Sequence, residues 1–371
     1  MYLQFALMPE RGRQKPCVQP CYTCAHMAMK GTDEILLCMA VSHIGDRLLK
    51  ELANLGCRVV LLTINEQQDA GWPTDAIREL HGMPANMTMQ QITNTVTYLA
   101  RSRKFARVIA LDSFNVEIAA TLREHLRIPG MGVTTARYFT DRLAARVKAA
   151  HMGIAVPVFT SVANYDDLRR FMQAVPAPWL LTPRSSSCNA ERRKLAESEQ
   201  VWRALDARGD DQSGFLLEQS IEGERIHVDS LTADGVVLFS AVSPYWAASS
   251  ERNEFGELMP RASKIITPGD VERLRGTTTA LLSSMRMARG VTHTEFLRSK
   301  ATGEFYFMET SASIDDRCVA NLMQETHGLN LWQEWARLEV AAMRSQSYVL
   351  PSNAGGSRAL PGSTEVQHRL A

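Results

Sequence analysis

Between Glu34 and Leu126 the apolar residues change spacing in a regular rhythm, and that rhythm limits the fold more than any other feature. Glu34-Ile-Leu-Leu-Cys-Met-Ala-Val41 is a short, nearly continuous apolar run, suited to a strand buried on both faces of a parallel sheet. From Ile44 to Leu55 the apolar residues fall three to four apart, at Ile44, Leu48, Leu49, Leu52 and Leu55, which marks one face of a helix. Gly56 closes that helix, and Cys57-Arg-Val-Val-Leu-Leu-Thr-Ile64 reads as a second strand. Phe105 to Asp112 and Val116 to Leu126 repeat strand and helix. Strands alternating with helices predict a doubly wound parallel sheet over 33–132.

That region is Rossmann-like in its alternation, but the turn after the first strand reads Ser42-His43-Ile44-Gly45 and carries no G-x-G-x-x-G phosphate cradle. A nicotinamide dehydrogenase is disfavoured. The sheet is then either a scaffold or a holder for a second substrate. At 371 residues the chain has room for two or three packed units. Its 41 basic and 40 acidic side chains leave a formal charge of +1, so nothing points to nucleic acid as a partner. No apolar run approaches the roughly 20 residues of a membrane span, and the start of the chain has no apolar segment followed by a small-residue cleavage site. The expected location is cytoplasmic, away from membranes.

Seven cysteines in a chain this long do not suggest a disulfide framework. Cys17, Cys21 and Cys24 share the C-x3-C-x2-C spacing of radical SAM iron–sulfur sites, but they precede any strand, where such a motif would follow one. Residues 1–32 read as a poorly ordered leader, and Met27 or Met29 would start the chain just ahead of its first strand.

Ile128-Pro-Gly-Met-Gly132 marks a domain boundary. Beyond it the pattern becomes α+β: a helix over Phe139–Met152, an extended piece at 154–159, a helix over Asp166–Ala174, a strand at Trp179–Thr182, a helix over Glu197–Asp206 and a strand at Gly214–Gln219. Strands Arg225–Thr232 and Val236–Ala241 flank Ala233-Asp234-Gly235, a strong two-residue hairpin signal. The segment 347–371, rich in Pro, Gly and Ser, reads as a disordered tail.

Thr292-His-Thr-Glu-Phe-Leu297 and Phe305-Tyr-Phe-Met-Glu309 form a further hairpin. With its turn centred on Thr302, Glu295 lies opposite Glu309 and both leave one face of the sheet. Bare, such a pair repels; Mg²⁺, which favours one or two carboxylates with phosphate oxygens and waters, would reverse that sign. Two edge glutamates in water, or partners for arginines, are the other readings. A register slip of one residue would separate them onto opposite faces.

Five segments in order resemble the ATP-grasp superfamily, in its carboxylate–amine ligase-like branch, over roughly Thr134 to Arg344. They are Thr140-Asp-Arg-Leu143 followed by Gly153-Ile-Ala-Val-Pro157, then Pro178-Trp-Leu-Leu-Thr-Pro-Arg184, Phe215-Leu-Leu-Glu-Gln-Ser-Ile-Glu-Gly223, Ile226-His-Val-Asp-Ser230, and the Glu295/Glu309 pair. The resemblance implies a Rossmann-like pre-ATP-grasp domain (33–132) followed by an α+β two-lobed ATP-grasp fold (133–346, with lobes 133–212 and 213–346). It implies ATP with Mg²⁺ (or Mn²⁺) in the cleft. Glu218 to Ile221 would be the inter-lobe hinge, with backbone groups of Gln219 and Ile221 on the adenine edge, Ser220 between them, and Glu218 accepting from the adenine amino group. Glu224 would reach the ribose. Glu295, Glu309 and Ser311, the last in a position usually held by Asn, would carry the metal. His293 would sit beside the γ-phosphate or the acyl intermediate, or be a structural histidine.

The departures from the family pattern are equally specific. Arg142 and Thr182 stand where phosphate-binding lysines are usual, which keeps one charge and loses the other. Arg184 is the expected replacement cation, with Lys148 and Lys194 as weaker ones. In Ser311-Ala-Ser-Ile-Asp-Asp-Arg317 an arginine is replaced by Ser313 and two glycines by Asp315 and Asp316, leaving Arg317 or Arg298 to stand in. Phosphoryl transfer depends on preorganised cations. Two functions are therefore carried forward: an ATP-dependent ligase joining a small carboxylate to an amine through an acyl phosphate, with Arg184, His293 and Arg317 as catalytic groups, and a degenerate ATP-grasp binding or regulatory module. Substrate selection is expected from the front domain and the loop Pro244–Pro260, with Tyr245, Trp246, Arg252 and Glu254, each of which also reads as a surface or lid residue. A homodimer is left open as the assembly.

Overall fold

The computed structural model describes residues 34–185, 192–245, 248–252, 258–260, 266–314 and 317–351, with backbone alone at 248–252, 258–260, 317, 318 and 322. The leader with Cys17, Cys21 and Cys24, the residues Trp246, Glu254, Asp315 and Asp316, and the segment 352–371 lie outside the described residues.

The front of the chain runs β1 (Ile35–Ala40), α1 (Asp46–Asn54), β2 (Arg58–Ile64), β3 (Glu79–Met83), α2 (Met89–Ala100), β4 (Phe105–Ala110) and α3 (Val116–Leu126). The four strands form one parallel sheet in the order β3-β2-β1-β4. Leu36 to Ala40 and Val59 to Leu62 are buried on both faces, which is why they read as continuous apolar runs. The sequence pattern missed β3 and α2. Glu79-Leu-His-Gly-Met83 is a half-buried edge strand with no apolar run to announce it. The start of α2 is set instead by a capping box, with the Thr88 hydroxyl accepting from the Gln91 N–H and the Gln91 side chain accepting from the Thr88 N–H.

Next come α4 (Val133–Thr140), α5 (Arg142–His151), β5 (Phe159–Ser161), α6 (Tyr165–Ala174), β6 (Trp179–Pro183), β7 (Arg193–Leu195), α7 (Ser198–Asp206) and β8 (Phe215–Gln219). The single helix expected over Phe139–Met152 is two helices. Asp141 adopts an extended backbone and caps α5, its carboxylate accepting from the N–H groups of Leu143 and Ala144. The strands pair in the order β5-β8-β6-β7 around a small separate core that includes Val162, Leu168, Leu181, Val201, Leu205 and Leu217. Here the expected lobe limits need correction. β8 belongs to this smaller unit, not to the following lobe, because it pairs with β5 and β6. Helices α4 and α5 lie outside it, since Ala136, Phe139, Ala145 and Ala149 pack with Phe307 and with the front sheet.

The remainder is β9 (Gly223–Ala233), β10 (Val236–Pro244), β11 (Ala248–Arg252), β12 (Leu258–Pro260), α8 (Pro268–Ser284), β13 (Gly290–Ser299), β14 (Phe305–Ser311), α9 (Arg317–His327) and α10 (Leu331–Met343). β11 and β12 pair with each other, while β10-β9-β13-β14 form an antiparallel sheet. The β9–β10 turn is the two-residue Asp-Gly hairpin, with both residues at positive φ, +48° at Asp234 and +81° at Gly235. Leu36 of the front sheet and Leu48 of α1 share a core with Trp332, Trp335 and Leu338 of α10. The front domain is therefore packed onto the last helix and is not a detached module. Residues 348–350, expected in the disordered tail, are held: the Tyr348 hydroxyl donates to Glu334 Oε2 at 2.7 Å, and Leu350 lies against this core. Among the described residues no helix is long and apolar enough to cross a membrane.

Candidate functional site

The site is one face of the β10-β9-β13-β14 sheet. On β13, Glu295 lies opposite His227 of β9 and Glu309 of β14, and His293 lies opposite Asp229 of β9 and Ser311 of β14. Residues directly opposite in antiparallel strands share a face. Two rows therefore cross the sheet: His227, Glu295, Glu309 and, beside it, Asp229, His293, Ser311. The hairpin register places Glu295 against Glu309 as the sequence suggests, but by a different route. Phe296 pairs with Phe307, Leu297 with Tyr306 and Arg298 with Phe305, one residue out of step, and a bulge at Met308 restores the step before Glu309.

The carboxylates are the acid centre of this face, and arginines from distant elements converge on it. Arg142, first residue of α5, brings its Nε to 2.6 Å from Glu309 Oε2 and donates through Nη1 to the carbonyls of Pro183 (2.8 Å) and Ser185 (3.0 Å). Arg192 Nη2 lies 2.6 Å from Glu309 Oε1. Burial opposes ionisation of Glu309, yet Arg142 and Arg192 outweigh it and hold the carboxyl below its ordinary range. Glu295 accepts from the Tyr245 hydroxyl at 3.1 Å and has Arg225 3.6 Å away, while its buried Oε2 makes no hydrogen bond among the described residues.

Behind the glutamates lies a hydrogen-bonded chain. Asp229, fully buried, accepts through Oδ2 from His227 Nδ1 (2.7 Å) and through Oδ1 from His293 Nδ1 (2.6 Å); His293 Nε2 meets the Tyr245 hydroxyl at 2.5 Å. Burial would raise the Asp229 carboxyl, but the two imidazoles pull it far below the usual carboxylate range. Burial and the Glu295 carboxylate push the Tyr245 phenol up. The three groups His227, Asp229 and His293 have ligand atoms within 4.8 Å of one another, a spacing compatible with a metal ion. Asp229 orients both rings by accepting a hydrogen bond from each Nδ1–H.

Several expected residues land elsewhere. Thr182 and Glu218 are fully buried and face each other, the Thr182 hydroxyl donating to Glu218 Oε1 at 2.5 Å. Glu218 Oε2 is ion-paired with Arg146 Nη1, and Arg146 Nε donates to the Met308 carbonyl at 3.0 Å. Glu218 is thus not offered to an adenine amino group, because both its oxygens are occupied. Arg184 does not reach the carboxylate pair. Its guanidinium grips Asp141, at 3.2 Å from Nε and 2.5 Å from Nη2, and borders a cleft of about 640 Å³ with Arg137, Thr140, Ser185 and Asp211. The cation that meets Thr182 and Glu218 is Arg146, which lies on α5 four residues after Arg142. Sequence reading missed it, although that i, i+4 spacing puts both arginines on one helix face. It also missed Arg192, Asp229 and His227, and it treated Tyr245 as a surface or lid residue.

Arg298 leaves the sheet on the face opposite Glu295, its guanidinium 3.9 Å from Asp270 and over the Phe305 ring, so it does not replace the missing arginine. Arg317 opens α9, and its side chain is not described. The Ser311 hydroxyl donates to the Ser313 carbonyl at 3.3 Å, and the buried Ser313 hydroxyl has no hydrogen-bond partner among the described residues. At the hinge, the Gln219 N–H donates to Val158 and the Ser220 N–H to Pro178, which removes both from ligand binding, while the Ile221 N–H meets no acceptor among the described residues. Glu224, half-buried, lies opposite Arg298 across the β9–β13 pair. Gly223 closes the hinge where a Cβ would come 2.3 Å from the Arg298 carbonyl oxygen, too close for any side chain.

No family model matches the sequence. Among solved structures, an L-amino acid ligase from Bacillus licheniformis superposes with TM-score 0.66 at 19% identity, covering 85% of this chain and 75% of that one. The biotin carboxylase domain of the Hydrogenobacter thermophilus 2-oxoglutarate carboxylase, solved with MgADP and bicarbonate, superposes with TM-score 0.69 at 15% identity, over 86% of this chain and 72% of that one. The fold is ATP-grasp. Among curated proteins, an L-arginine-specific L-amino acid ligase from Bacillus subtilis is 23% identical over 244 residues, which is 64% of this chain and 58% of that ligase. β5 to β8 form the smaller sheet, β10-β9-β13-β14 the larger one, and Ser220 to Glu222 connects them.

Proposed function

We propose that this chain is an ATP-dependent ligase that joins the carboxylate of one L-amino acid to the amine of a second, in the cytoplasm, with ATP and Mg²⁺ (or Mn²⁺). The observation that carries the reading is the opposed Glu295–Glu309 pair on an ATP-grasp sheet, faced by Arg142 and Arg192. The donor set suits a hard cation: two carboxylates and the Ser311 hydroxyl on one sheet face, with Glu295 Oε2 lacking a hydrogen bond among the described residues. Glu295, Glu309 and Ser311 would hold the ion, which would supply charge neutralisation to a triphosphate.

The chain's own residues then divide the work. Arg142 and Arg192 exchange their hold on Glu309 for phosphate oxygens as the γ-phosphoryl group passes to the substrate carboxylate, forming an acyl phosphate and ADP. His293, oriented by Asp229, lies beside the carboxylates and can take the proton that the attacking amine must lose as the amide forms and phosphate leaves. The Ile221 N–H is the remaining hinge donor for the adenine edge, whereas Glu224, opposite Arg298 on the other face of the sheet, is not carried forward for the ribose. The similarity to two L-amino acid ligases supports the substrate class, and the parallel front sheet is read as the Rossmann-like pre-ATP-grasp domain. The assembly carried with this reading is a homodimer.

A second reading, a binding module without turnover, is favoured by Thr182 in a lysine's place, sealed against Glu218, and by Ser313 in an arginine's place. Calorimetry with MgATP, followed by assays of ADP and phosphate release with pairs of L-amino acids, separates them. The ligase reading expects nucleotide binding and release that requires both amino acids. Binding without release on any pair selects the module, and no binding at about millimolar nucleotide removes the ligase while leaving a module that does not depend on nucleotide.

A further inference from the structure

On the far side of the β13–β14 hairpin, away from Glu295 and Glu309, lies a cavity of about 260 Å³ whose walls come from six parts of the chain, Pro129 to Gly132 with Thr135 being one of them. Arg107 is on β4 and Arg123 on α3; Arg286 and Arg289 are in the turn between α8 and β13; Glu339 is on α10, and Ala312 closes the end just after β14. Ala312 follows Ser311, so its side chain points to the opposite face of the strand, and the cavity is separate from the carboxylate face.

The charge in this cavity does not balance. Arg123 spends its guanidinium on carbonyls, with Nε and Nη2 donating to Val108 (2.9 and 2.6 Å) and Nη1 to Met131 (3.2 Å), and no carboxylate is bonded to it. Arg107, 8% exposed, is ion-paired through Nε with Glu339 at 3.4 Å and donates through Nη1 to the Ala106 carbonyl (2.9 Å), but that buried Nε makes no hydrogen bond among the described residues. Arg289 is paired at the rim with Asp234. Arg286, held at φ +60°, has a guanidinium with no hydrogen-bond or ion-pair partner among the described residues, its backbone N–H alone being bonded, to the Ser283 carbonyl. Burial draws the Arg107 and Arg123 guanidinia below their ordinary range, and Glu339 is the carboxylate that draws both back. Sequestered guanidinium groups that outnumber their carboxylates are costly unless an anion is supplied from outside.

We propose that this cavity binds a small oxyanion, the carboxylate or phosphate group of an acidic metabolite, between the front sheet and the larger ATP-grasp lobe. Arg107 and Arg286 hold the oxyanion from two sides, and Arg123 and Arg289 supply the surrounding positive field. The ligand bridges β4 and α3 to the α8–β13 turn, so it stabilises the contact between the front sheet and the strand that carries Glu295.

The test uses the full chain in thermal melts and calorimetry with sodium phosphate, sodium succinate and, at matched ionic strength, sodium chloride. Phosphate or succinate is expected to raise the melting temperature beyond chloride, and the larger effect identifies which oxyanion chemistry fits. Arg286→Ala, at the exposed rim, and Arg107→Gln are each expected to weaken that binding about tenfold or more, the scale of one charge-assisted contact. Should Arg107→Gln fail to fold, Arg286→Ala still gives the reading. Arg170→Ala, which removes an exposed surface cation on α6 away from both sites, is expected to leave the anion affinity unchanged. Stabilisation no greater than that from chloride, wild-type affinity in Arg286→Ala, or loss of binding in Arg170→Ala instead would each overturn the assignment.

Discussion

Replacing Glu218 by glutamine tests the central buried contact of the cleft. Glu218 and Arg146 are both fully buried, and between them they tie three elements: β8 through Glu218, α5 through Arg146, and β14 through the Met308 carbonyl that Arg146 Nε also holds. Glu218→Gln keeps the shape and removes the charge. Arg146 would then keep only neutral acceptors, with its Nη2 already unpartnered. The glutamine amide would also have to point its NH₂ at either the Arg146 guanidinium or the Thr182 hydroxyl, which now donates to Glu218. Breaking a buried ion pair by removing one partner costs about 3–5 kcal/mol. With an unfolding entropy near 2.1 cal/mol/K per residue and roughly 300 ordered residues, that is a fall of about 5–8 °C in melting temperature. The double variant Arg146→Met, Glu218→Gln removes both charges and should recover most of the loss, since an apolar replacement of a buried pair is often neutral. Melting by calorimetry across the wild type, both single variants and the double variant gives the coupling directly. A Glu218→Gln protein melting within about 1 °C of the wild type, or a double variant no better than the worse single one, would refute the reasoning.

Thr182→Lys restores the usual lysine but places a second buried cation on a carboxylate already shared with Arg146; it should cost more than about 2 kcal/mol in urea unfolding and leave ATP affinity no tighter in calorimetry. Glu309→Gln should abolish Mg²⁺-dependent nucleotide binding. Because Arg142 and Arg192 hold the Glu309 carboxyl below its ordinary 4.5, its contribution to stability is complete above about that pH and is lost as the pH falls through the folded value. The melting-temperature gap between wild type and Glu309→Gln should therefore stay constant from about pH 5 to 8 and narrow at lower pH. Cys57 has its thiol pushed up to about 11 by burial and by Glu34, and Cys38 is shifted further up by burial. Iodoacetamide at about pH 8, followed by peptide mapping, should spare both in the folded protein and label both in urea.

Local chemistry was legible from the residue order. Glu295 and Glu309 are separated by one hairpin, so their encounter depends on a short turn and on the alternation of a strand; even the bulge at Met308 only shifted the intermediate pairs. The Asp234-Gly235 turn and the buried runs of β1 and β2 are of the same kind, each set by a period or a backbone preference within a few residues. The edge strand β3 escaped notice because a half-buried strand needs no continuous apolar run.

The partners of the charges were decided in three dimensions. Arg146 meets Glu218 across 72 residues, Arg192 meets Glu309 across 117 and His293 meets Asp229 across 64. A guanidinium or imidazole carries no record of which carboxylate it will face. The packing of α5 against β14, and of β8 between β5 and β6, makes that choice. The sequence alone thus determined the apolar and hairpin strands and that two acids meet on one of their faces, because those are short-range consequences of backbone geometry. The tertiary structure alone determined which cations neutralise them, because desolvated charges pair with whatever the fold brings within reach.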